Sequence, residues 1–123
     1  MDTRSKILTL AEAASLPGPL AMVTGHFDIL RAAHIHALEA LRSSAAGARL
    51  LAVVMPAPDE ILAQPARAEL VAALRVIDYV VIADAAEARR LADSLQPVEI
   101  VRLEAADALR ARELKEHVHR RQT

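Results

Sequence analysis

A short stretch near the first third of the chain gathers Thr24, Gly25, His26, Phe27, Asp28, Arg31 and His34. Arg31 and His34 are three residues apart, so on a helix of about 3.6 residues per turn they share one face with Leu38 and Leu41, while His36 falls nearly opposite. Leu38 and Leu41 anchor that face to a core, which leaves Arg31 and His34 in the first turn. A helix N-terminus offers unpaired N–H donors and roughly half a positive charge. Two nitrogen-bearing side chains at such an end make a site for a phosphate or another anion.

The elements that must position these groups are legible on either side. Leu20-Ala21-Met22-Val23 is an apolar run that stops at Thr24-Gly25, and a helical pattern begins about six residues later. The order is strand, turn, helix. Gly25 has access to backbone angles closed to other residues, so the spacing predicts a sharp reversal there, with N–H groups turned into the crevice above the strand end.

Gly25-His26-Phe27-Asp28-Ile29-Leu30-Arg31-Ala32-Ala33-His34 resembles the G-x-F-D-x-L-H-x-G-H signature of the cytidylyltransferase-like nucleotidyltransferases. Within that superfamily it is most similar to the adenylyltransferase domain of the ADP-heptose synthase type. A second block, from Arg67 to Val81, is similar to the family's helix running into a V-D-x-V-V strand. The two blocks stand in the family's order and span roughly Leu20 to Ile82. The resemblance implies a small Rossmann-like domain of the nucleotidyltransferase type. It implies nucleotide binding by Thr24, Gly25, His26, Phe27 and Asp28, phosphate stabilisation by Arg31 and His34, and Mg²⁺ arriving with ATP or CTP. A phosphorylated sugar or alcohol would be the acceptor, and a homodimer is common in the family. Asp28 has a second reading as a turn residue bonding its own backbone, and His34 one as a packed structural histidine.

Several positions depart from the pattern. Arg31 stands where the family has its first motif histidine, and Ala33 where it has glycine. Arg31 keeps positive charge at every relevant pH, so phosphate binding survives the exchange more readily than catalysis does. The loop from Pro56 to Gln64 carries Asp59 and Glu60 instead of the family's basic stretch; an acidic pair suits a sugar phosphate poorly, and Asp59 also fits a helix cap. Leu103-Glu104-Ala105-Ala106-Asp107-Ala108-Leu109 lacks the hydroxyls that the family places before its last helix, and Glu104 and Asp107 there complement the helix dipole. Lys6 and Lys115 are the two lysines, and neither lies in a crevice motif.

Composition bounds the remaining possibilities. At 123 residues, 54% apolar and 25% charged, the chain reads as one globular domain over residues 1–123. A formal net charge of -1 and 2% aromatic residues give neither the basic footprint nor the stacking platform of a nucleic-acid binder. Cysteine is absent, which removes disulfides, thiolate metal sites and a thiol nucleophile. His34 and His36, like His117 and His119, are two apart and diverge on a helix, so no metal is expected on protein ligands. No apolar run approaches the ~18 residues of a membrane span, and the expected location is the cytoplasm.

Elsewhere, Thr9-Leu10-Ala11-Glu12 has the spacing of a capping box and predicts a short helix ended by Pro17-Gly18-Pro19. Arg49 to Met55 reads as a strand buried on both faces, and Ser43 to Gly47 as a loop before it. A helix from Ala66 to Leu74 is expected to turn Leu70, Ala73 and Leu74 inward. Tyr79 to Ile82 and Val98 to Leu103 read as strands around a helix from Asp84 to Leu95, whose inner face is Ala88, Leu91, Ala92 and Leu95. A last helix carries Arg110, Arg112, Lys115, Arg120 and Arg121. Such alternation predicts right-handed crossovers and a parallel sheet of about four strands with about five helices, in three α/β/α layers.

If the departures at Arg31 and Ala33 alone limit chemistry, the double variant Arg31→His/Ala33→Gly should release pyrophosphate faster from ATP or CTP with a sugar phosphate acceptor. An unchanged rate would place the limitation in the acceptor loop and the segment after Leu103.

Overall fold

Leu20–Gly25 (β2) is buried at every position and Arg49–Val54 (β3) at every position but its first. Strands with both faces covered belong in the middle of a parallel sheet with helices on each side. The structure, a computed structural model, describes residues 2–28, 32–57 and 60–104. Ile7–Leu8 (β1), Tyr79–Ile82 (β4) and Glu99–Arg102 (β5) complete the sheet, and the helices are Leu10–Ala14 (α1), Ala32–Ser44 (α2), Gln64–Ala72 (α3) and Ala85–Leu95 (α4). Every strand pair is parallel, in the order β1-β4-β3-β2-β5.

The two-residue period of a strand sorts the core into two clusters. Ala21, Val23, Leu50, Ala52, Val54 and Val80 pack with Leu38 and Leu41 of α2 and with Ala68 and Val71 of α3. Met22, Leu51, Val53 and Val81 point the other way, onto Ala13 of α1 and Ala88 and Leu91 of α4. This is the three-layer Rossmann-like arrangement expected from the alternation of elements, with five strands rather than about four. The additional strand, β1, is two residues long and pairs only with β4 at the sheet edge. Two residues are too few for a periodic signal.

Connectivity creates the crevice. From β2 the chain steps outward to β3 and β4, then returns over α4 to place β5 against the other side of β2. The carboxyl ends of β2 and β5 therefore flank a topological switch point, where open α/β sheets take their ligands. Both neighbours hold β2 to its end: the Leu103 amide donates to the Thr24 carbonyl at 2.7 Å and the Met55 amide to the Gly25 carbonyl at 2.9 Å.

α2 buries His34, Leu38 and Leu41 and exposes His36, as its periodicity predicts. It runs on through Ser43 and Ser44, which were expected in the following loop. α4 starts on a capping box, with Asp84 accepting from the Glu87 amide, and ends at Gln96 in the left-handed conformation with Pro97 behind it. α3 differs from expectation in phase. Its buried residues are Arg67, Ala68, Val71 and Ala72, while Leu70 is 44% exposed. An alanine-rich helix offers several similar apolar faces, and the hydrogen bonds of Arg67 select among them. The expected last helix with its basic residues, and the Asp59 cap, lie outside the described residues. Among the described residues no helix is long and apolar enough to cross a membrane.

Leu51, fully buried in the central β3, and the exposed Leu70 test this phase directly. Leu51→Ala should lose ~2–5 kcal/mol of unfolding free energy in urea, whereas Leu70→Ala should change it by less than about 0.5 kcal/mol. Equal losses would mean that α3 is rotated relative to this arrangement.

Candidate functional site

The site grows from the last residues of β2. Thr24 shares the face of Met22, is 4% exposed, and its hydroxyl donates to the Glu104 carboxylate at 2.7 Å. A cavity of about 130 Å³ opens there, with Thr24, Glu104, Arg89 and Arg102 around a floor that includes Met22 and Ala88. Arg89 and Arg102 are exposed and have no hydrogen-bond or ion-pair partner among the described residues. Glu104 thus spends its charge on a hydroxyl, and the two guanidinium groups remain available to an anion.

Gly25 closes the strand, but the sharp reversal expected of it is made elsewhere. The residue with left-handed backbone is Phe27, at φ 54°. Gly25 is required for closeness instead: a Cβ there would lie 3.1 and 3.2 Å from two Phe27 ring carbons and 3.3 Å from the Leu103 Cβ. The left-handed conformation costs a non-glycine residue roughly 1–2 kcal/mol. Phe27 is fully buried, and burial of its ring contributes ~1.5–3 kcal/mol, enough to offset that strain.

Phe27 belongs to the cluster beneath α2, and the His34 ring stands 6.2 Å from it, tilted by 47°. His34 is 5% exposed. The described residues among those expected at the site therefore lie near the end of β2 but divide between the two faces of the sheet. Thr24 opens toward α4, whereas Phe27 lies under α2 and His34 is on the buried face of that helix. Arg31 and the Ala33 side chain lie outside the described residues. His26 is half-buried; its Nδ1 is buried with no partner among the described residues.

Asp28 reaches across to the segment before α3, and the residues that follow it in its own turn, 29–31, lie outside the described residues. Its two carboxylate oxygens accept from the backbone amides of Ile61 and Leu62, at 2.8 and 2.9 Å. Glu60, expected to repel an anion, instead pairs with the Arg67 guanidinium at 2.7 Å. Arg67 is the residue that sequence reasoning missed. It lies wholly buried and also donates to the carbonyls of His26, Met55 and Leu62. Its signal was present, since Arg67 shares a helical face with Val71 at four-residue spacing, but a charged residue is normally assigned to the outside. Among the described residues no group of three acidic or histidine side chains is placed to hold a metal ion.

No protein-family model matches the chain, and no curated protein matches it significantly. Among solved structures it is similar to a lipopolysaccharide core biosynthesis protein from Thermoplasma volcanium GSS1, at 26% identity over 68% of this chain and 73% of that one, with a TM-score of 0.59.

Because the Leu103 Cβ is fixed to its backbone and the Phe27 ring is enclosed, Gly25→Ala should force both apart. The expected loss is ~1–3 kcal/mol in urea unfolding, the usual result of overpacking; wild-type stability would refute the close approach.

Proposed function

We propose that this chain is a nucleotidyltransferase-superfamily protein that binds a nucleotide, ATP or CTP, or another phosphometabolite at the Thr24–His34 turn and the N-terminal end of α2. Transfer to a phosphorylated sugar or alcohol is weak or lost. The observation that carries this reading is a glycine-dependent strand end at the switch point of a parallel sheet, with the next helix, α2, beginning at Ala32. The likeness to a lipopolysaccharide core biosynthesis protein agrees with a role in building sugar-containing products.

In such a transfer a phosphate oxygen of the acceptor attacks the nucleotide's α-phosphorus, the bond to the leaving pyrophosphate breaks, and the protein supplies mainly position and positive charge. Backbone groups of Gly25 to Asp28 would hold the nucleotide, and Arg31 with His34 would stabilise its phosphates. Mg²⁺ would enter on the nucleotide. Arg89 and Arg102, without a partner among the described residues and lining the crevice, suit an acceptor phosphate. The departures at Arg31 and Ala33, and the scarcity of lysine, favour binding over rapid turnover. The same reading has the protein acting in the cytoplasm, as a homodimer, without nucleic-acid or membrane partners. One observation favours the alternative, an assembly subunit with a vestigial site: His34 is 5% exposed and shows little surface to a ligand.

Thermal unfolding with millimolar ATP, CTP and their diphosphates, with and without Mg²⁺, separates the two. A ligand at about 100 times its Kd adds about 2.7 kcal/mol, so a Mg²⁺-dependent upward shift of several degrees is expected for at least one triphosphate. No shift with any of them would leave the vestigial reading. Pyrophosphate release is expected to stay slow in the presence of sugar phosphates.

A further inference from the structure

The geometry points to Arg67 and Asp28 as a pair of positioning residues that clasp the 60–62 segment onto residues 26–28 after β2, so that the two move as one body. The clasp closes in both directions. Arg67 Nη1 donates to the His26 carbonyl and, at 2.7 Å, to that of Met55; Nε donates to the Leu62 carbonyl at 3.0 Å and Nη2 to Glu60 at 2.7 Å. Asp28 answers from the turn, accepting from the amides of Ile61 and Leu62. His26 and Asp28 are the two neighbours of Phe27, the residue in the left-handed conformation. Both sides of the strained residue are therefore tied to the same segment.

Packing alone does not call for this arrangement. Removing a guanidinium from water carries a penalty of several kcal/mol, and apolar residues fill such sites at least as stably. A planar fork of five donors does something that no apolar side chain can: it joins carbonyl groups from three separate segments that come together only at the strand ends. Glu60, 42% exposed at its side chain, balances the charge from the solvent side. The functional consequence rests on the proposed nucleotide site, because the turn held in this way is the one assigned to the nucleotide. The mechanical claim stands without it.

The test measures amide hydrogen exchange in the full chain for wild type, Arg67→Lys and Asp28→Asn, followed by Mg-ATP and Mg-CTP titration. The informative amide is Ile61, whose acceptor is Asp28 and not Arg67; the Ala83 amide, bonded to the Val54 carbonyl, is the reference in the sheet. Arg67→Lys retains the charge but not the fork, and it should speed exchange at Ile61 by about tenfold or more while Ala83 stays within about twofold, the pattern of local opening. Equal acceleration at Ala83 would reduce Arg67 to a general stabiliser, and an unchanged Ile61 amide would overturn the clasp. Should Arg67→Lys fail to fold, Glu60→Gln must give the same pattern at smaller amplitude, or the inference falls. The affinity of wild type for nucleotide should drop about tenfold in Arg67→Lys. Wild type binding neither nucleotide would remove the nucleotide reading, with the exchange pattern still deciding the clasp.

Discussion

The end of β2 depends on one close contact, the Phe27 ring lying against the bare Cα of Gly25. Any side chain at Gly25 would sit within 3.1 to 3.3 Å of the ring or of Leu103. Because Phe27 is enclosed, the ring cannot swing away, and the left-handed backbone at Phe27 is fixed by what its side chain buries. That backbone determines where the chain leaves the sheet. The same ring stands 6.2 Å from that of His34 on α2.

Around this contact the sheet supplies rigidity and the loops supply chemistry. β2 and β3 are buried on both faces, so neither can shift without exposing apolar surface on α1 and α4 or on α2 and α3. The polar groups stand where those strands end. Thr24 meets Glu104 across the switch point, while Asp28 and Arg67 bind the turn to the segment before α3. Division of the site between the two faces has a consequence for any ligand. One that contacts both Thr24 and the Phe27–His34 side must pass over the end of β2, where the Phe27 ring and Leu103 fill the space beside the buried Gly25.

Much of this was legible in the residues. The apolar run into Thr24-Gly25, the opposite placement of His34 and His36, the doubly buried β3 and the inward face of α4 each followed from a period of 2 or 3.6. What escaped had a physical cause in each case. β1 is too short to show a pattern. The phase of α3 is set by hydrogen bonds of Arg67 to carbonyls distant in sequence, information that periodicity does not hold. For the same reason the bonds that Asp28 accepts from the Ile61 and Leu62 amides, more than thirty residues away, could not be read from its neighbours in sequence. Gly25 was correctly singled out but for a different property: it is needed for the absence of a Cβ, not for its backbone angles.

The proposed function places a ligand at the turn after β2. Mapping backbone amide chemical shifts during titration with Mg-ATP and with Mg-CTP tests it most directly. A second groove, between α1 and α4, is lined by Leu10, Ala14, Leu91 and Ser94; saturable shifts at Thr24 to Asp28 and at His34, with Leu10 and Leu91 unmoved, are the predicted result. Saturable shifts confined to that groove, or none at the turn with either nucleotide, would contradict it.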